Sequence, residues 1–60
     1  MNGYKILVVE DDKKMRDGLF YVMTKEGYEV DAVDSGEAAL GRIKNHAYDL
    51  VISDMKLPGI

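Results

Sequence analysis

Carboxylates carry the chemistry available to this chain, and they gather at two places. Glu10, Asp11 and Asp12 follow the apolar run Ile6-Leu7-Val8-Val9, and Asp54 follows Leu50-Val51-Ile52-Ser53. Continuous apolar runs of this kind are typical of strands in a parallel sheet covered on both faces. Ligands of such sheets bind in the crevice beyond the carboxyl ends of the strands. Carboxylates collected there repel one another unless a cation lies between them, and hard oxygen ligands favour Mg²⁺. The pattern therefore points to a metal-assisted phosphate site. The plainer reading is that both clusters are solvated strand ends and helix neighbours, since acids are common at such turns. Spacing alone leaves both open.

The elements that must position these acids read as strand, helix, strand, helix, strand. Lys5–Val9 is the first strand. A helix is predicted from Lys13 to about Glu26, with Met15, Leu19, Val22 and Met23 forming one apolar stripe at i, i+4, i+7 and i+8. Gly27 is the expected residue that releases the chain from helical φ. Tyr28, Val30, Ala32 and Val33 suggest a half-exposed second strand with Glu29 and Asp31 on its other face. Ser35 is a good N-cap, and Glu37 in the first turn complements the helix dipole. Ala39, Leu40, Ile43 and Ala47 give the face of a shorter helix, Tyr48–Ser53 the third strand, and Leu57-Pro58-Gly59 the start of a loop.

This βαβαβ order implies an α/β fold. Right-handed crossovers place the first strand in the middle, giving a parallel sheet of order 2-1-3 with the two helices on opposite faces. Strands one and three then end side by side, so Asp11 and Asp54 converge at one edge of the sheet. A divalent ion held by two carboxylates, a backbone oxygen and waters is the usual open Mg²⁺ arrangement. With its charge so compensated, the Asp54 carboxylate is placed to attack phosphorus and form an aspartyl phosphate.

Composition narrows the alternatives. The chain has 60 residues, 8 basic against 11 acidic, a net charge of −3, and no cysteine. A chain of this size buries only about 60 % of the surface its unfolded form exposes, and no disulfide or thiolate site supplements that core. The charge balance gives no footprint for nucleic acid or an anionic membrane. No apolar run approaches the roughly 18 residues of a membrane span, and the amino terminus lacks a signal-peptide pattern. The simplest expectation is a cytoplasmic protein.

Three motifs agree in order and spacing with one family. Leu7-Val8-Val9-Glu10-Asp11-Asp12, Ser35-Gly36-Glu37-Ala38-Ala39-Leu40 and Tyr48-Asp49-Leu50-Val51-Ile52-Ser53-Asp54-Met55-Lys56-Leu57-Pro58-Gly59 resemble the amino-terminal half of a two-component response-regulator receiver domain. The resemblance covers nearly all 60 residues without a gap. It implies the first half of a flavodoxin-like, doubly wound fold, with residues 1–60 as a partial receiver domain. It also implies that Asp54 is the phosphoacceptor and that Asp11 ligates Mg²⁺ (Mn²⁺ in its place) directly. Glu10 reaches the metal through water, and Lys56 contributes its backbone carbonyl. Asp12 falls at a variable position leading into the first helix. The implied partner is a histidine kinase or phosphotransfer domain. The domain catalyses its own phosphorylation and is not otherwise an enzyme.

The departures from the family carry expectations too. A complete receiver has five strands in order 2-1-3-4-5, and its later hydroxyl residue, lysine and switch aromatic have no counterpart here. The resemblance thus implies a chain truncated after the third strand and not competent for the usual switch. An inert, self-associating half-domain is the competing reading. A Toprim-type metal nuclease requires Asp-x-Asp, whereas this chain has Asp54-Met55-Lys56. A dinucleotide-binding half requires a glycine-rich first turn, whereas Glu10-Asp11-Asp12-Lys13 is acidic.

Other residues take ordinary roles. His46 reads as a helix C-terminal residue interacting with the dipole, Met15 and Met23 as core, and the tyrosines as packing or rim. Lys13, Lys14 and Arg16 form either a solvated face or, as the resemblance implies, part of the kinase-docking end of the first helix. The third strand is expected to leave an unpaired apolar edge at Leu50-Val51-Ile52, a template for joining a second copy into a continuous 2-1-3-3′-1′-2′ sheet.

Overall fold

Lys5–Val9 becomes the central strand because four consecutive apolar side chains need cover on both faces. In the computed structural model, which describes residues 3–53, Ile6, Leu7, Val8 and Val9 are all but fully buried. The elements follow as β1 (Lys5–Val9), α1 (Lys13–Lys25), β2 (Glu29–Val33), α2 (Gly36–Asn45) and β3 (Leu50–Ser53). The sheet order is β2-β1-β3, all parallel, as the sequence predicts. Leu57-Pro58-Gly59, expected as a loop, lies outside the described residues.

The register sorts side chains between the two faces. Leu7 aligns with Asp31 and Val51, and Val9 with Val33 and Ser53. Because strand side chains alternate, these share one face, where Leu7, Val9 and Val33 pack with Ala39 of α2. Ile6 and Val8 point to the opposite face together with their register partners Val30, Ala32, Leu50 and Ile52. There α1 packs on β1 and β2.

Local chemistry fixes the helix ends. Asp12 caps α1 from an extended conformation, its carboxylate accepting from the Met15 amide at 3.4 Å. At the other end the Gly27 amide donates to Thr24 O (3.0 Å) and the Tyr28 amide to Met23 O (3.3 Å). This paired closure needs a left-handed residue at its centre, and Gly27 supplies φ +99°. Ser35 Oγ accepts from the Ala38 amide at 3.1 Å to start α2. His46 ends α2 through its own amide, which donates to Arg42 O at 2.9 Å.

The helical apolar stripes are less buried than their spacing implies. α1 contains no buried residue; Leu19 and Met23 are half-buried, while Met15 is 49 % and Val22 52 % exposed. Met15 is therefore not a core residue. In α2 only Ala39 is buried, and Leu40 and Ile43 remain open to solvent. The cause is geometric: among the described residues, each helix packs on β1 and β2, and neither reaches β3. A helix stripe is buried only as far as the sheet beneath it extends.

The third strand begins at Leu50, two residues later than expected. Asp49 closes the sheet instead, its amide donating to Lys5 O (2.7 Å) and its carboxylate accepting from the Lys5 amide (2.8 Å). Tyr48 turns its hydroxyl to Asp31 Oδ2 at 2.5 Å, and Arg42 lies 3.5 Å from the same oxygen. Limited burial, the hydrogen bond to Asp31 and its negative charge together push the Tyr48 phenol above its ordinary range, with Arg42 opposing.

Candidate functional site

The turn from β1 into α1 holds the first acidic cluster, and its backbone is fastened at every step. The Glu10 amide donates to Val33 O at 3.0 Å, which extends the pairing of β1 with β2 by one residue. The Glu10 carbonyl accepts from Arg16 Nη1 at 3.0 Å. Asp12 O accepts from the Arg16 amide at 2.9 Å. Arg16 is half-buried and engaged at the turn, so it does not belong to a solvated face. Lys13, by contrast, is exposed and pairs with Asp17 one turn on, at 2.8 Å. That pairing holds the Asp17 carboxyl below its ordinary range.

Glu10 itself is the unusual residue. It is 4 % exposed, the one buried charged residue among those described. One carboxylate oxygen, Oε2, accepts from the Asp12 amide at 3.0 Å. The other, Oε1, is buried and has no hydrogen-bond partner among the described residues. A buried anionic oxygen left unpaired carries a desolvation cost of about 1–3 kcal/mol or more, and a bound ion or water is one of the arrangements that relieves it. Asp11, the next residue, is exposed at the same turn.

A buried, unpaired carboxylate oxygen beside a second, exposed carboxylate is a donor set that suits a hard divalent cation such as Mg²⁺. Among the described residues, no group of three or more acidic, histidine or cysteine side chains comes together to hold a metal. Two of the four sequence-predicted contributors, Asp54 and Lys56, lie outside the described residues. The sheet nonetheless bears on where the chain is delivered. Val9 and Ser53 are register partners, so β3 brings the chain, at Ser53, alongside the residue from which the acidic turn departs.

Around the rim, Arg16, Ala32, Val33, Asp34 and Ala38 line an open depression of about 320 Å³ next to the turn. His46 lies at the opposite end of α2 from the capped N-terminus, its ring Nδ1 3.2 Å from Arg42 O. This agrees with a helix-end role and separates it from the acidic turn. What sequence reasoning missed is the attachment of Arg16 to the Glu10 carbonyl. Its only signal was a position one helical turn inside α1, indistinguishable by type from Lys13 and Lys14.

No helix among the described residues is long and apolar enough to cross a membrane. The chain is 46 % identical over 56 residues to the response regulator protein FleR of Pseudomonas aeruginosa, covering 93 % of this chain and 12 % of that protein. It is 43 % identical over 60 residues to the transcriptional regulatory protein TcrA of Mycobacterium tuberculosis, covering 100 % of the chain and 24 % of that protein. The two-component response regulator PhoP of Pseudomonas aeruginosa is 41 % identical over 56 residues, with 93 % and 25 % covered. The chain thus spans about a quarter or less of the curated relatives it matches. No solved structure matches it. The model of the response regulator receiver domain matches residues 6–60, from the central strand through the acidic turn to the last residue. The match spans most of the chain, whose sheet has the parallel order 2-1-3, and the chain belongs to the response regulator receiver domain family.

Proposed function

We propose that this chain is the phosphoacceptor of a two-component relay, taking a phosphoryl group from a histidine kinase or phosphotransfer domain onto Asp54. Residues 1–60 contribute to one receiver domain, which acts in the cytoplasm. The observation that carries the reading is the buried Glu10 Oε1, without a partner among the described residues, beside Asp11 at the carboxyl end of the central strand. Glu10, Asp11, Asp54 and the Lys56 backbone carbonyl are the residues that would hold Mg²⁺, or Mn²⁺ in its place. Bound there, the ion supplies charge neutralisation for the phosphoryl oxygens as transfer proceeds.

The chain's own part is nucleophilic. An Asp54 carboxylate oxygen forms a bond to phosphorus while the phosphorus–nitrogen bond to the donor histidine breaks, and the departing electron pair stays with the imidazole nitrogen. The product is an acyl phosphate on Asp54. This is a single transfer onto the chain itself, and no separate substrate is turned over. Incubation with a small acyl-phosphate donor, with and without Mg²⁺, tests it by intact mass. Gain of one phosphoryl group only with the metal, lost in Asp54→Asn, is the expected result. Undiminished labelling of Asp54→Asn overturns the reading.

A second reading is favoured by β3. Leu50 and Val51 are 47 % and 43 % exposed, and among the described residues this strand pairs with β1 alone. An apolar edge of this kind is a template for another strand. Two copies related by a two-fold axis would pair their third strands antiparallel in a continuous 2-1-3-3′-1′-2′ sheet. In the limiting case the pair is an inert structural assembly. Sedimentation should return a dimer; a folded monomer at high concentration refutes the edge pairing.

A further inference from the structure

We propose that Arg16 is a positioning residue for cation binding: by gripping the Glu10 carbonyl it aims the Glu10 carboxylate into the crevice. The inference rests on reading Glu10 and Asp11 as cation ligands. Arg16 brackets the acidic turn from both sides. Its side chain holds Glu10 O and its amide holds Asp12 O, at 3.0 and 2.9 Å. With the Glu10 amide on Val33 O and Oε2 on the Asp12 amide, every polar atom of Glu10 except Oε1 is then tied within the described residues. The free oxygen is thus the one remaining outlet of a fastened residue, not a loose end.

The choice of acceptor matters. A guanidinium pairs readily with a carboxylate through its planar fork, and such a pair would neutralise Glu10 and displace a metal. Here Nη1 goes to the carbonyl instead, leaving the carboxylate its charge. Arg16 therefore orders the turn without occupying the site. Its positive charge, taken alone, opposes a divalent ion, so charge and positioning predict opposite outcomes on removal. Partners that orient a metal ligand are worth about 10- to 100-fold in affinity.

The experiment titrates Mn²⁺ and Mg²⁺ into the chain by calorimetry and by amide NMR, with circular dichroism to establish folding. Arg16→Lys keeps the charge and loses the fork; Arg16→Met keeps the aliphatic stem and loses both. Both variants should bind the metal about tenfold more weakly or worse, and in metal-free protein the Asp12 amide should exchange faster. Lys13→Ala, which removes a nearby exposed cation, should leave affinity unchanged. Arg16 variants that melt lower yet bind normally would reduce Arg16 to a structural role, and tighter binding by Arg16→Met would show that charge alone acts. A further readout needs no variant: the Arg16 guanidinium signals should shift on metal addition together with those of Glu10, and unmoved signals overturn the inference. If the unsubstituted chain binds no metal, the ligand reading fails and the Arg16 inference with it. Binding that is indifferent to Arg16 sinks the inference alone.

Discussion

Replacing Glu10 by Gln should stabilise the metal-free chain and destabilise it relative to the unsubstituted chain once metal is present. Glu10 is 4 % exposed; one oxygen accepts from the Asp12 amide, and the other has no partner among the described residues. Glutamine preserves size and the accepting oxygen while removing the buried, unpaired charge. Leaving such a group unsatisfied costs about 1–3 kcal/mol, more when it is charged. Exchanging the anion for a neutral amide, itself short of one partner, should recover on the order of 1 kcal/mol of that. In a domain of this size each kcal/mol moves Tm by about 4–8 °C. With a chelator present, the variant should therefore melt several degrees above the unsubstituted chain. A ligand at a hundred times its Kd contributes about 2.7 kcal/mol to the state that binds it. Saturating Mg²⁺ should thus reverse the order, because the variant lacks the anionic oxygen that recruits the ion. Thermal melts followed by circular dichroism, in chelator and in Mg²⁺, make the comparison. A variant that melts lower in chelator, or gains as much from Mg²⁺ as the unsubstituted chain, would refute this account of Oε1.

Three other perturbations test the frame around the site. Leu7 is fully buried between β2 and β3, so Leu7→Ala should cost about 2–5 kcal/mol. Against the roughly 3–5 kcal/mol that a core this small supplies, far-ultraviolet circular dichroism should show a largely unfolded chain. Ser35→Ala removes the oxygen that accepts from the Ala38 amide and should cost about 1 kcal/mol, read as a Tm lowered by several degrees with the native baseline unchanged. Tyr48, whose pKa is raised in the folded state above the ordinary 10.0, favours folding while protonated. Its contribution is complete below pH 10 and is lost as pH rises through the raised folded value. Ultraviolet titration should show a tyrosine step above the ordinary range, and that step should vanish in Tyr48→Phe.

The strands were legible because a run such as Ile6-Leu7-Val8-Val9 has few physical outcomes besides a doubly covered strand. The caps were legible for a similar reason: Ser35 and Gly27 each solve a local backbone problem, and both are found doing so. The third strand starts later than the sequence suggests because Tyr48, strand-like by type, and Asp49, which adjoins the apolar run, spend their side chains on Asp31 and Lys5. Met15, expected in the core, and Val22, on the same stripe, are exposed because helical spacing defines a face without revealing how much sheet lies under it. At the site, the acidic character of Glu10-Asp11-Asp12 was plain, yet nothing in the spacing distinguishes a buried Glu10 from an exposed Asp11. The sheet pairing to Val33, which only the fold brings close, and the Arg16 clasp across the turn fasten Glu10 in a way that residue type and spacing do not reveal.

The most direct measurement is to locate the phosphoryl group. The chain should be loaded with a small acyl-phosphate donor in Mg²⁺, reduced with borohydride to trap the acyl phosphate as an alcohol, digested, and its peptides mapped by mass spectrometry. The reduction should fall on Asp54 alone, and only in samples that received both donor and metal. Modification at Glu10, Asp11 or His46 instead, or at Asp54 irrespective of metal, would contradict a cation-assisted transfer to the acid that follows the third strand.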